Sequence, residues 1–414
     1  HTGPQDGEPR DRTSIVKGDA IAVFDFSLTE EQELLVEQVE EFMKRGNYDD
    51  YFKECDRERK YPERACRDFC EEGFHLLDCP EEYGGAGLDL VSSVLMKLKF
   101  YEYGWPALTL PGGALELDNI LTYGSKEQQE LIVEEVLQGR KAYTMGFTEP
   151  QAGSDNSAMA TRAEHRDGKV YITGHKTFNT YATVSRYMMC VAREYEVEDK
   201  PKKDMSWYLI PLRDEAGNLT PGVTIHVLDK IGCHCMPTCE VYLDNVEVPE
   251  SALVGARCNG FYQLLKNFET ERLLTCVSNV GYARAAYHDA AVYASQRIQF
   301  GKTIGSFQII QQKLVDMKIK CDNMYNMLMH TAWKKSVGQS IMLDASMLKR
   351  YTGQAAFEVL DDAIQILGGI GYTNDTRIAR LWRDQRGARI YAGTEEIMVH
   401  SVARALIKQE AGIQ

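Results

Sequence analysis

The sequence predicts an α+β fold laid out in three consecutive parts: helices, a compact β region, then helices again. Three observations carry this. Apolar residues recur at helical spacing from Phe26 to about Arg140. Between about Ala142 and Gly255, short β-rich runs separated by turn residues replace that pattern. From Gly260 the helical period returns and lasts to the end of the chain.

The first 24 residues are polar, contain Gly and Pro, and lack the long apolar stretch of a secretory signal, so they are read as an extension outside the fold. The helical part spans 25–141. It opens on the capping residues of Ser27-Leu28-Thr29-Glu30-Glu31, followed by Leu34, Leu35, Val39 and Phe42 on a helical period. Pro80-Glu81-Glu82-Tyr83-Gly84-Gly85 reads as a turn between two helices. The middle part, 142–258, holds strand-like runs such as Lys169–Thr173, Trp207–Ile210 and Val223–Val227. Asp167-Gly168, Ala216-Gly217-Asn218, Pro221-Gly222 and Asp244-Asn245 punctuate them, which fits a small barrel or sandwich. The last part, 259–414, is helical, with few breaks before Gly368-Gly369-Ile370-Gly371. This order excludes the alternating βαβ pattern of a dinucleotide-binding sheet, and no Gly-x-Gly-x-x-Gly follows a strand.

Composition narrows the function. The 414 residues exceed what one core usually serves, so more than one packed region is expected. A net charge of −14 argues against nonspecific binding to nucleic acid or an anionic membrane. No apolar run is long enough to span a bilayer. Eleven scattered cysteines suggest reduced thiols in the cytoplasm rather than a disulfide framework.

Five separated signatures then appear. They are Pro80-Glu81-Glu82-Tyr83-Gly84-Gly85; Thr148-Glu149-Pro150-Gln151-Ala152-Gly153-Ser154-Asp155; Arg297-Ile298-Gln299-Phe300-Gly301-Lys302 with Phe307-Gln308; Gln365-Ile366-Leu367-Gly368-Gly369-Ile370-Gly371-Tyr372; and Arg383-Asp384 running to Tyr391-Ala392-Gly393-Thr394. Through them the chain resembles the acyl-CoA dehydrogenase family from about Asp25 to its last helix. The resemblance implies an N-terminal helical domain, a middle β-barrel domain and a C-terminal four-helix bundle. It also implies FAD as cofactor, an acyl-CoA substrate, an electron-transferring flavoprotein as redox partner, and a homo-oligomer of tetramer type. Asp25-Phe26-Ser27-Leu28 and Glu54-Cys55-Asp56-Arg57 with Tyr61-Pro62-Glu63-Arg64 are similar to the crotonobetainyl-CoA reductases of carnitine metabolism. That narrower likeness implies a small, polar acyl group, with reduction of an enoyl-CoA as a possible direction.

The resemblance also distributes roles. Phe147, Thr148 and Ser154 match the strand that lines the flavin, with Ser154 also toward substrate. Phe178-Asn179-Thr180 matches an aromatic, a small residue and a hydroxyl near flavin N5; stacking survives Phe178 standing where Trp is common. Arg297, Gln299 and Phe300 match residues that reach the cofactor of a neighbouring subunit, a guanidinium being suited to pyrophosphate. Gln365, Gly368 and Gly369 supply the complementary loop, where missing side chains let backbone approach. Thr394 and Glu396 match the adenine side. Phe268, Arg272, Tyr391 and Gly393 match the substrate pocket. Read without the resemblance, the β-region residues are ordinary core and Arg297 is a solvated helix end.

The reaction needs a carboxylate to take the α-proton. Many family members place it in Tyr-Glu-Gly-Thr, but here that position is Ala392. A minority, including isovaleryl- and long-chain-type enzymes, places Glu just before an Arg on another helix. Glu271 in Phe268-Glu269-Thr270-Glu271-Arg272 matches that arrangement. Helical geometry agrees: Leu264, Asn267, Phe268, Leu274, Thr275 and Ser278 share its face and bring no other charge, so Glu271 is expected to be desolvated and a better base. Glu269 lies about 200° round the helix and reads as solvated or ion-paired. Glu395 and Glu396 are weaker candidates. Ala392 keeps its backbone N–H, which the resemblance assigns to gripping the thioester carbonyl, and Arg272 becomes a CoA-pocket or positioning residue.

Cys233, His234, Cys235 and Cys239 lack structural-zinc spacing, and no metal is expected. Tyr101, Tyr103 and Trp105 read as acyl pocket or as helix-packing core. Two rival functions stand beside the main reading: an ordinary short- or branched-chain acyl-CoA dehydrogenase, and a catalytically silent acyl-CoA-binding relative.

Overall fold

A capping box starts the first helix, as the sequence suggests. Thr29 Oγ1 accepts from the Gln32 N–H at 3.2 Å, and the Gln32 side chain accepts from the Thr29 N–H at 3.1 Å, satisfying two helix-end donors at once. The structure is a computed structural model that describes residues 27–195 and 203–412. The extension read into residues 1–24 lies outside the described residues, as do Asp25 and Phe26. The N-terminal helices are α1 (Glu30–Gly46), α2 (Tyr48–Glu58), α3 (Glu63–Glu71), α4 (Leu90–Glu102), α5 (Ala114–Tyr123) and α6 (Lys126–Leu137). Leu35, Val39 and Phe42 of α1 are buried; Leu34, one step round the helix, faces solvent instead.

The middle region is an eight-stranded sheet. Its strands are β1 (Tyr143–Gly146), β2 (Arg162–Arg166), β3 (Lys169–Thr180), β4 (Tyr187–Glu194), β5 (Met205–Pro211), β6 (Val223–Val227), β7 (Thr238–Pro249) and β8 (Leu253–Val254). Pairing runs β6-β7-β3-β2-β4-β5-β8, and β1 adds in parallel to β4. Val170, Ile172 and Lys176 of β3 point inward on a two-residue alternation. Register against β7 then shifts between Lys176 and Asn179. A bulge of this kind swaps the faces of the residues beyond it. Thr177 and Asn179 therefore turn inward, and Phe178 turns out.

The C-terminal part holds α7 (Gly260–Gln296), a hairpin of β9 (Ile298–Gln299) and β10 (Lys302–Thr303), α8 (Gln308–Ser336), α9 (Met342–Leu367), α10 (Arg377–Ala388) and α11 (Glu395–Glu410). The two helical regions share one hydrophobic core. Phe42, Phe52, Phe69, Phe100 and Trp105 pack in the same cluster as Val277, Tyr282, Leu348, Leu360 and Leu381. Trp105 is thus core rather than pocket, and its indole N–H donates to Thr109 Oγ1 at 2.9 Å. Tyr101 packs edge-on against Tyr282 at 6.0 Å. Among the described residues no helix is long and apolar enough to cross a membrane.

Asp56 ties all three parts together. From α2 it receives Arg383 of α10 at 2.5 Å and meets His234 of the middle region at 3.1 Å. Burial would raise its pKa, but the bonds from His234 and Arg383 outweigh burial and bring it down to about 2. A carboxylate lowered on folding stabilises the fold above its unfolded value near 4 and loses that contribution as pH falls towards 2. Asp56→Asn is expected to cost about 2 kcal/mol at pH 6, from the size of the shift. Urea midpoints of the two proteins should converge between pH 4 and 2; a gap that persists to pH 2 would exclude this ion pair as its source.

Candidate active site

Glu271 stands one third of the way along α7. Asn267, one turn earlier, donates to its Oε2 at 2.9 Å and itself accepts from Asn119 of α5 at 2.7 Å. This relay orients the carboxylate without adding charge. Burial pushes the Glu271 carboxyl up; Arg272, the Asn267 bond and Lys349 offset part of that. Glu269, by contrast, is buried but paired: both its oxygens meet Lys266 at 3.2 Å, and Ser340 adds a bond at 3.3 Å. Of the readings open for it, ion pairing is the one found, with burial in place of solvation.

Glu271, Glu116, Lys141 and Tyr391 share an unusual state. Burial dominates the acidity of each, yet each keeps accessible surface. Each is therefore disfavoured in its charged form while remaining partly accessible. A chain of contacts and electrostatic interactions links them. Arg272 abuts Gly393, whose Cβ position lies 3.7 Å from Nη2. Tyr391 lies in the field of Tyr101, and so does Tyr181. Lys141 sits 5.0 Å above the Tyr181 ring and interacts with Glu116. Glu116 is one turn from Asn119, which leads back to Glu271.

Ala392 and Gly393 lie in left-handed backbone, with φ of 55° and 91°. Such a conformation is uncommon for alanine and collects at functional sites. Among the described residues nothing accepts a hydrogen bond from the Ala392 N–H. Thr394 caps α11, accepting from the Ile397 N–H at 3.2 Å. Glu395 is locked by Arg389 at 2.8 and 2.9 Å, and Glu396 is exposed, held acidic by its own backbone N–H and by Thr394. Neither is a desolvated carboxylate without a cation, as Glu271 is.

Arg272 is buried, donates to Ser346 Oγ at 2.9 Å and lies 5.2 Å above the Phe268 ring. Its head is thus held inside the helical body. The sequence reading missed Lys349 of α9, which is 0% exposed and whose ammonium donates to the Gly393 carbonyl. Its signal was a lysine on the stripe formed by Ala345, Thr352 and Ala356.

The second cluster lies on the sheet. Phe178 is 64% exposed with φ 58°, an aromatic face offered outward by the β3 bulge. Thr180 is half-buried beside it, and Ser154 is exposed. Phe147 points into the core against Trp207, ring centres 5.4 Å apart, so it offers a ligand backbone rather than its ring. The Thr148 carbonyl accepts from the Thr177 N–H at 2.9 Å. This loop is anchored by a fully buried ion pair the sequence reading also missed, Lys176 to Glu149 at 2.7 Å. Glu149 accepts further from the Ala160 and Thr161 N–H groups at 2.6 and 3.0 Å.

The third cluster is open to the outside. Arg297, Gln299 and Phe300 are exposed on the hairpin after α7, Phe300 at 94% with φ 51°. Gln365, Gly368 and Gly369 are exposed at the end of α9, and a Cβ on either glycine meets nothing within 4 Å.

Cys233 donates to the Asp384 carbonyl at 3.6 Å, and His234 is engaged with Asp56 and Lys230. Among the described residues no three potential ligands form a metal group. An open cavity of about 1140 Å³ lies between α2, the Asp229–His234 loop and the start of α10; Asp56, Lys230, His234 and Arg383 line it, whereas Glu271, Phe178 and Arg297 do not.

Three family models match in series: the acyl-CoA dehydrogenase N-terminal domain over residues 29–140, the middle domain over 144–246, and the C-terminal domain over 259–407. The chain is 43% identical, over 93% of its length and 98% of the relative, to a protein of Escherichia coli K12 named probable acyl-CoA dehydrogenase YdiO. Among solved structures it is similar to butyryl-CoA dehydrogenase from Megasphaera elsdenii, with a TM-score of 0.86 and 29% identity over 93% of this chain and 100% of that one. It is also similar to a chain solved in work on the electron transferring flavoprotein of Acidaminococcus fermentans, with a TM-score of 0.83 and 28% identity over 93% and 100%.

Proposed function

The chain belongs to the acyl-CoA dehydrogenase family, and on that premise we propose that it exchanges a hydride at the β-carbon of a small acyl-CoA thioester, with Glu271 moving the α-proton. The observation that carries this is the Glu271 carboxyl, partly accessible yet made more basic by burial, with the unbonded Ala392 N–H on a strained turn that the neighbouring Arg272 abuts through Gly393.

The residues present suit FAD. An outward aromatic on a bulged strand, hydroxyls at Thr148 and Thr180, and open backbone at Ser154 would hold the ring. When bound, FAD supplies the hydride chemistry. Arg297, Gln299, Phe300, Gln365, Gly368 and Gly369 would meet the cofactor of a neighbouring copy, with Thr394 and Glu396 on its adenine side. Their exposure here and the absence of any packing demand on the two glycines support a homo-oligomer, which we read as a tetramer. We also read an electron-transferring flavoprotein as redox partner, supported by the likeness to the chain solved in work on the electron transferring flavoprotein of Acidaminococcus fermentans.

The protein's own groups do the proton work. Asn267 presents Glu271 in one orientation. The Ala392 N–H donates to the thioester carbonyl and stabilises the negative charge that builds as the α-proton leaves. Tyr391, Gly393 and Phe268 shape the wall, and Arg272 is a positioning residue rather than a direct CoA contact. The test is anaerobic bleaching of the yellow protein by saturated thioesters: bleaching supports a dehydrogenase, while a protein that binds FAD and thioester without bleaching is a silent relative.

We read the acyl group as small and polar, of crotonobetainyl type. What supports this is the likeness of Glu54-Cys55-Asp56-Arg57 and Tyr61-Pro62-Glu63-Arg64 to crotonobetainyl-CoA reductases, together with a partly accessible pair of ionisable groups, Glu116 and Lys141, which interact with each other while Lys141 also donates to the Leu110 carbonyl at 2.6 Å. We place the polar end of the acyl group beside that pair. Glu116→Leu is expected to shift kcat/KM towards butyryl-CoA over a polar-ended acyl-CoA by about tenfold or more, from one lost charged hydrogen bond. An unchanged ratio across an acyl-CoA panel would favour the ordinary short- or branched-chain reading.

A further inference from the structure

Lys349 is the group the reaction above leaves unused. It is fully buried on α9, and its one hydrogen bond among the described residues goes to a carbonyl, that of Gly393. A buried ammonium without a hydrogen-bonded carboxylate is costly, and an apolar residue of the same length would pack there at lower cost. The charged groups around it come from two other elements: Glu271, Arg272 and the Cys276 thiol from α7, and Glu395 from α11. Glu395 is already neutralised by Arg389 and Arg350. Glu271 has no hydrogen-bonded cation; its one bond comes from an amide.

We propose that Lys349 is a positioning residue for the reaction: it pins the Ala392–Gly393 turn through the Gly393 carbonyl and sets a positive charge behind the Glu271 carboxylate. The turn needs such a restraint. Ala392 holds a left-handed backbone conformation, which persists only where the surroundings over-determine it. Pinning the Gly393 carbonyl on the α9 side leaves the Ala392 N–H unpaired and ready for a thioester oxygen. The same ammonium lies in the field of the base, so one side chain couples proton acceptor and carbonyl grip. Burial brings the Lys349 ammonium down to about 8, with Cys276, Glu395 and Glu271 partly offsetting it. The coupling therefore weakens in alkaline solution.

This inference rests on Glu271 being the base, and the FAD-loaded enzyme separates the two. In Lys349→Met, kcat should fall by about 100-fold, the scale of one oxyanion donor, while calorimetric affinity for the CoA thioester falls less than tenfold. The acid limb of the kcat–pH profile should move up by about one unit, because Glu271 has lost a nearby cation. A lysine that merely fills space would leave that limb in place. If the Met variant does not fold, Lys349→Gln, which keeps a donor without charge, carries the same test through its pH limb. An unmoved limb with kcat within threefold of the parent overturns the proposal. If instead Glu271→Gln retains full activity, the assignment of the base fails, and this inference with it.

Discussion

Glu271→Gln is expected to slow thioester-driven flavin bleaching by about 10²- to 10⁴-fold, the usual contribution of a positioned general base, while leaving the yellow protein folded. Glutamine keeps the shape and can still accept from Asn267 Nδ2, so the Asn119–Asn267 relay survives. The stability change should run the other way. Burial raises the Glu271 carboxyl, so the folded protein holds that proton to higher pH than the unfolded chain. Between the unfolded value near 4.5 and the folded one, the folded state binds more protons, and stability falls as pH rises. The Gln variant escapes this penalty and should melt at the same or a higher temperature at pH 7 to 8. A base retained against stability is a recognised exchange of stability for function. Undiminished bleaching in the variant would refute the role of Glu271; a large loss of melting temperature would mean the carboxylate is structural.

Lys176→Met should produce the largest loss of stability, about 3–5 kcal/mol, because it strands the buried Glu149 carboxylate without its cation. Burial alone would raise Glu149; Lys176 and the Thr161 and Ala160 N–H groups outweigh it. Lys176 also reaches the Phe147 carbonyl at 3.3 Å, so one ammonium holds the loop that carries Thr148 and Ser154 against β3. The double variant Lys176→Met with Glu149→Leu should recover much of the urea midpoint, since an apolar pair of similar volume is often as stable as the ions it replaces. FAD affinity is expected to stay weakened in both, because the loop has lost its anchor. A single variant as stable as the parent would show that the pair contributes no net stability.

The parts legible in the sequence are those that periodicity encodes. A change from helical to alternating period locates the three parts, and the return to helical period locates α7. The desolvation of Glu271 was legible because a helix face can be worked out from spacing alone. The partners across elements were not. Spacing says which side of α1 is apolar but not that this side packs in one core with α7 and α9, so the two helical regions read as separate when they are joined. Lys176 carries the inward parity of Val170 and Ile172, and Lys349 lies on an apolar stripe. Neither partner, Glu149 or the Gly393 carbonyl, can be found from spacing, because it sits 27 or 44 residues away. The bulge that turns Phe178 outward was equally hidden, since register belongs to the neighbouring strand as much as to β3.

The joint core of the two helical regions also bears on how the chain is made. The Trp105 carbonyl waits for the hydroxyl of Tyr282, 177 residues later, and the Gly104 carbonyl for the guanidinium of Arg380, 276 residues later. At about 5–20 residues per second of synthesis, the aromatic cluster around Phe42, Phe69 and Phe100 stays uncovered for tens of seconds while the whole sheet and most of the C-terminal helices emerge from the ribosome. A nascent chain halted before α7 therefore exposes a sticky, protease-sensitive face, and α7, the helix that carries Glu271, is among those that cover it.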